Sequence, residues 1–182
     1  KQIMFSIICL VIFLIVLEAI IITYDYFTKQ CKFMSSDVFE NFDQAEKLQI
    51  CRDSEALVII KYPFPEMKPN QDFSTIHINN VGFRGPDFSP IKPENTYRIF
   101  VIGGSTTFGS ASTSDITTIP GYLQQKFDNE NSEVNIEVIN AGISAAFSFT
   151  EIQLLKNKIL GYEPDLIIVY DGANDVLQKY PT

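Results

Sequence analysis

Three short segments of this chain carry residues suited to acyl chemistry: Gly103-Gly104-Ser105-Thr106-Thr107, Asn140-Ala141-Gly142 and Gly172-Ala173-Asn174-Asp175. A serine just past two glycines exposes its hydroxyl, because glycine permits a tight turn and close substrate approach, so Ser105 is the candidate nucleophile. Attack on an ester carbonyl creates an oxyanion that needs donors already in place. The backbone N–H groups of Ser105 and Gly142 and the side-chain amide of Asn174 are the candidate donors. Each residue also has a plainer reading: Ser105 and Asn174 as helix caps, Gly142 as a turn glycine. Thr106 and Thr107 read as turn and cap groups, Asp175 as supporting, and Asp171 as a loop or cap residue.

The missing part is a base. The one histidine, His77, precedes the nucleophile and lies in a different kind of segment, where a surface or packing role is expected. One histidine also excludes multi-histidine metal sites, and three cysteines cannot form a four-cysteine zinc site, so no metal or organic cofactor is implied.

Each candidate segment follows an apolar run of strand type: Arg98 to Ile102 (RIFVI), Asn135 to Ile139 (NIEVI) and Asp165 to Tyr170 (DLIIVY). Helical stretches alternate with them, Asp115 to Asp128 with Pro120 near its first turn, and Phe149 to Leu160 stopped by Gly161. Nearly continuous apolar strands alternating with helices predict an α/β domain with a doubly wound parallel sheet. Ligands in such sheets bind beyond the carboxyl ends of the strands, where all three segments fall.

The blocks VIGGSTTFG, VINAGIS and YDGANDV, in that order, resemble the SGNH (GDSL-type) hydrolase family, named for a Ser, a Gly, an Asn and a His in four blocks. The lead-in HINNVGFRGPDFSP resembles a membrane-associated branch of it, and the likeness runs from about His77 to the end. The resemblance implies a flavodoxin-like fold, Ser105 as nucleophile, Gly142 and Asn174 as oxyanion residues, and an acyl ester as substrate. The first block here has Gly-Gly-Ser-Thr in place of the commoner Gly-Asp-Ser. The fourth block, Asp-x-x-His, is not in the sequence, so the base is expected beyond residue 182 and the domain is expected to be truncated at its C-terminus.

Upstream, Ile3 to Thr23 is apolar except for Ser6, Glu18 and Thr23, long enough to span a bilayer, since about 20 such residues suffice. A single-pass membrane anchor is expected rather than a cleaved signal, because the run is long and no small-x-small pattern follows. The run also accounts for a mean hydropathy of +0.07 in an acidic chain. Lys1 before the span, and Lys29 and Lys32 after it, do not favour an outside domain. Cys31 and Cys51 either pair, which suits an oxidising compartment and an extracytoplasmic domain, or stand as free thiols. Ser35 to Leu57 has helical spacing, with Asp37 as N-cap and Glu40 three residues on. Tyr62 to Pro93, dense in proline and turn residues, reads as an extended lead-in rather than a core element. Arg84 within it either binds an anionic group or ties the lead-in to the domain. The expected organisation is an anchor over residues 1–23, a juxtamembrane helix and linker over 24–71, and a hydrolase domain over 72–182.

Among 182 residues, 22 are Asp or Glu and 14 Lys or Arg, a net charge of -8 that argues against a nucleic-acid partner. The expected partners are the membrane and an acyl ester, whether a small molecule, a lipid or an acylated glycan. The expected activity is serine ester hydrolysis. A tethered acyltransferase or deacetylase acting on a cell-surface glycan would use the same serine. A non-catalytic module, or GGSTTFGS as a phosphate-cradling loop, is a further reading, though it lacks the Lys-Ser/Thr of a P-loop and the Gly-x-Gly-x-x-Gly spacing.

Overall fold

A computed structural model describes residues 2–28, 34, 36–130 and 132–177. Lys1, Lys29, Cys31 and Lys32, which bear on the membrane orientation, lie outside them. The chain divides into two compact units, residues 1–51 and 52–182.

The first unit begins with helix α1 (Gln2–Thr28). Its Met4–Tyr24 stretch is long and apolar enough to cross a membrane, and none of it is buried within the protein. A helix exposing apolar side chains on every side has no stable place in water, whereas lipid satisfies it. A 3-10 turn (Asp37–Phe39) follows, then helix α2 (Gln44–Ala56), which runs across the division between the units. The sequence expectation of one helix from Ser35 capped by Asp37 is corrected here. The reciprocal cap is made by Asp43, whose Oδ1 accepts from the Glu46 N–H at 2.8 Å while Glu46 Oε2 accepts from the Asp43 N–H at 3.0 Å. Asp43 has the same Asp-x-x-Glu spacing as Asp37, and it directly precedes α2. Cys51 is disulfide-bonded and Cys9 is free.

The second unit opens with two short hairpins. Strand β1 (Ile59–Ile60) pairs antiparallel with β2 (Glu66–Met67), and β3 (Gln71–Asp72) with β4 (His77–Ile78). The lead-in is therefore not merely an extended approach: Met67, Ile76, Ile78 and Phe83 lie in the core cluster with Phe100 and Ile102. Two-residue strands carry no periodicity, so hydrophobic patterning does not reveal them.

The sheet proper is parallel and three-stranded: β5 (Thr96–Gly103), β6 (Asn135–Gly142) and β7 (Leu166–Tyr170), in spatial order β6-β5-β7. Between β5 and β6 come α3 (Ser105–Phe108), a 3-10 turn (Asp115–Thr117) and α4 (Ile119–Asp128); α5 (Ser148–Asn157) and a second 3-10 turn (Ile159–Tyr162) lead to β7, and α6 (Ala173–Leu177) follows it. The expected α/β class with a parallel sheet is present. The helix expected from Asp115 begins at Ile119, where Thr118 caps α4 by accepting from the Gly121 N–H at 3.0 Å, with Pro120 in the first turn. Because β5 is central, the chain leaves it to one side for β6 and then crosses to the other side for β7. That reversal leaves a crevice at the carboxyl end of β5, where loops diverge instead of packing together.

Candidate active site

The backbone leaves β5 at Gly103, and Ser105 opens α3 directly beyond it. Ser105 is exposed, and its hydroxyl has no hydrogen-bond partner among the described residues. At the first helical position its N–H has no intrahelical acceptor, so hydroxyl and amide are both available. The turn is pinned from below: buried Thr107 donates its hydroxyl to the Tyr170 carbonyl at 3.2 Å, tying α3 to the end of β7. Thr107 is thus the turn group the sequence suggested.

Asn174 arrives from the other side of the cleft, in the first turn of α6. Its side chain does not cap that helix. Nδ2 donates to the Ala146 carbonyl at 2.6 Å, which leaves its second hydrogen unassigned. Gly104 explains how the amide gets so close to Ser105. A Cβ placed there would lie 2.7 Å from Asn174 Nδ2, so a side chain would push the amide away, while Asp171 Oδ1 at 3.5 Å would be in ordinary contact. Gly104, Ser105, Thr106, Tyr170, Asp171, Ala173 and Asn174 line one open cleft of about 230 Å3.

Gly142 is not brought to that cleft. Asn140-Ala141-Gly142 is the end of β6 rather than a loop, because it stays in parallel register with Val101-Ile102-Gly103. The Gly142 N–H donates to Asn140 Oδ1 at 3.0 Å, and a Cβ on Gly142 would meet the Phe108 N at 2.3 Å. Its role here is to let α3 lie directly on the sheet. Sequence reasoning missed the residue three places on. Ala145 is exposed with φ 63, a left-handed conformation that costs a non-glycine residue about 1 kcal/mol. Its N–H has no partner among the described residues, and it stands beside Ala146, whose carbonyl Asn174 holds. An alanine carries no sequence signal for such a turn.

Arg84 is occupied within the protein. It is 3% exposed, and its guanidinium meets Asp115 Oδ1 at 2.7 Å and the carbonyls of Thr75, Phe108 and Gly109 at 2.7, 3.0 and 2.7 Å. Burial pushes its pKa down while Asp115 holds it up. The tying role weighed for it is the one observed: it fastens the lead-in beneath the α3 turn. His77 is not among the residues lining the cleft. Its Nδ1 sits 3.2 Å from Asp72 Oδ1, and its N–H faces the Asp115 carboxylate.

Carboxyl groups dominate the charge near Ser105. Asp171 lines the cleft, and Asp175 accepts from the Ser148 N–H at 3.2 Å at the start of α5. Glu151, also in the first turn of α5, is buried, and its pKa is pushed up to about 8 by burial, by a hydrogen bond with Asp171, and by the charges of Asp171 and Asp175. The sequence reading passed over Glu151, since a glutamate on a helix reads as a solvated residue. Among the described residues no cluster of His, Cys, Asp or Glu is arranged to hold a metal ion.

No family model matches the chain, and no curated protein matches it either.

Proposed function

We propose that this chain is the nucleophile-bearing part of a membrane-anchored serine ester hydrolase. The observation that carries the reading is the exposed, unpartnered Ser105 hydroxyl at the switch point of a parallel sheet, with the Asn174 amide across one cleft. Ser105 attacks the acyl carbonyl, and the oxyanion is met by the Ser105 N–H and the second hydrogen of Asn174 Nδ2. Because the Gly142 N–H is taken by Asn140, the Ala145 N–H, without a partner among the described residues, replaces it as third donor in this reading. A histidine from beyond Thr182 takes the serine proton and returns it to the leaving alcohol, as the family resemblance implies. α1 anchors the protein, and the disulfide at Cys51 favours an extracytoplasmic site for the hydrolase.

The test is labelling of the full-length membrane protein with a fluorophosphonate, which traps an activated serine as a stable adduct. Adduct on the peptide containing Ser105, absent from Ser105→Ala, is the expected result; no adduct, or one that survives the substitution, overturns the reading. Adding a glycan acceptor during ester turnover separates hydrolysis from transfer by the product formed. Protease protection in intact cells tests the orientation.

A further inference from the structure

Of the carboxyl groups around the cleft, Glu151 is the one with no evident structural reason to be there. It is 7% exposed, and its Oε1 is a buried side-chain oxygen without a hydrogen-bond partner among the described residues. An ionised carboxylate in that state would carry an uncompensated charge in a dry place. The charged groups facing it make this worse: Asp171 at the end of β7 and Asp175 in α6 are both acidic. The cations of its own segment lie elsewhere, with Lys156 exposed in the last turn of α5 and Lys158 paired with Glu66 at 2.5 Å. Two carboxyl groups in contact cannot both ionise cheaply, so one keeps a proton and gives it to the other as a hydrogen bond.

Asp171 connects this pair to the chemistry. Its Oδ1 and the Asn174 Nδ2 flank Gly104 together, immediately before Ser105. We propose that Glu151 is a positioning residue: it stays protonated, donates its O–H to the Asp171 carboxylate, and thereby fixes the Asp171–Asn174 turn against Gly104 so that the Asn174 amide faces Ser105. The inference rests on the hydrolase reading above. The raised pKa of Glu151 adds a consequence, since loss of that proton above about pH 8 leaves three like charges at the turn and releases it.

The experiment is fluorophosphonate labelling of Ser105 in the full-length membrane protein, with Glu151→Gln and Glu151→Leu beside the parent. Rates and melting temperatures are followed from about pH 6 to about pH 9, a range that brackets the titration. Glutamine keeps a neutral donor toward Asp171, while leucine keeps the bulk and removes the donor. The leucine variant is expected to label about tenfold more slowly near pH 6, the worth of one hydrogen bond to a charged group, and the glutamine variant to restore the rate to within about twofold. The ratio of glutamine-variant to parent rate then rises as pH passes about 8, by up to about tenfold per pH unit. If Glu151→Leu fails to fold, that ratio decides alone. A ratio that stays flat while the parent melting temperature falls with pH leaves Glu151 a purely structural acid and overturns the inference. So does a folded leucine variant that labels at the parent rate, though the hydrolase reading then stands. A parent that is never labelled overturns both.

Discussion

The two flanks of the central strand β5 are finished differently. On the β6 side polar groups find partners: Asn140 accepts from the Gly142 N–H and donates to the Phe108 carbonyl, and the buried Arg84 has Asp115 and three carbonyls. On the β7 side Thr107 and Asp165 are partnered, but three groups at the cleft are not fully so. Ser105 keeps its hydroxyl free, Asn174 uses one hydrogen of two, and Glu151 has a buried oxygen with no partner among the described residues. Exposed groups without protein partners are free to meet a ligand, so under the proposed function the β7 flank is the reactive side and the β6 flank the supporting one.

The largest test of this contrast removes one group from each side. Ser105→Ala is expected to lower ester hydrolysis by about 10⁴-fold or more while unfolding free energy moves by less than about 0.5 kcal/mol. Arg84→Ala should do the reverse in kind, costing about 3–5 kcal/mol in urea unfolding, because a buried side chain is lost, three carbonyls lose their donor and the half-buried Asp115 loses its cation. If Arg84→Ala unfolded like the parent, the β6 flank would not be the supporting one.

Two neighbouring glycines sharpen the same comparison. In Gly142→Ala the new methyl meets the Phe108 backbone, which cannot step aside, and the overpacking should cost about 1–3 kcal/mol, read as a lower melting temperature. In Gly104→Ala the methyl meets the Asn174 amide, the end of a side chain that can move. Stability should change little, but esterase rate should fall about 10²-fold, the usual cost of one oxyanion donor. Equal stability losses in both variants would erase the distinction.

The smallest effect is in the pH dependence. Glu151 has a folded pKa near 8, well above the ordinary carboxyl value, so the native state holds a proton that the unfolded chain releases. Its contribution is complete below the ordinary value and declines as pH rises toward about 8, by at most about 1.4 kcal/mol per pH unit. Glu151→Gln should flatten that decline in denaturant midpoints measured across the range. Asp165 acts oppositely: its carboxylate, held low by the Arg98 N–H and by Lys92, loses its contribution in acid.

What could be read in advance follows from the range of each interaction. β5 was legible because Ile99, Phe100, Val101 and Ile102 are all buried, and a continuous apolar run between polar ends has few other readings. The placement of Ser105 and Asn174 just beyond strand ends, lining one cleft, was legible because short motifs at strand ends fix their own surroundings. The end of β6 was not, since whether Asn140-Ala141-Gly142 is strand or loop depends on pairing with Val101–Gly103, forty residues away in the chain by rough count. Glu151 escaped for a related reason: its burial and its acidic neighbours come from the end of β7 and from α6, which local helix spacing does not report. The Asp43 cap was missed in favour of Asp37 because both have the same spacing to a glutamate, and only the backbone decides between them.

Gln124 gives the outer edge of β6 a further property. Its Nε2 donates to the Ile136 carbonyl at 2.9 Å and its Oε1 accepts from the Val138 N–H at 2.6 Å, the two bonds a neighbouring strand would make. A side chain that imitates a strand closes that edge to invasion by extended peptides and to edge-to-edge aggregation. Sheet growth, whether by more polypeptide or by an unwanted second molecule, is thereby directed to β7, the edge next to the cleft.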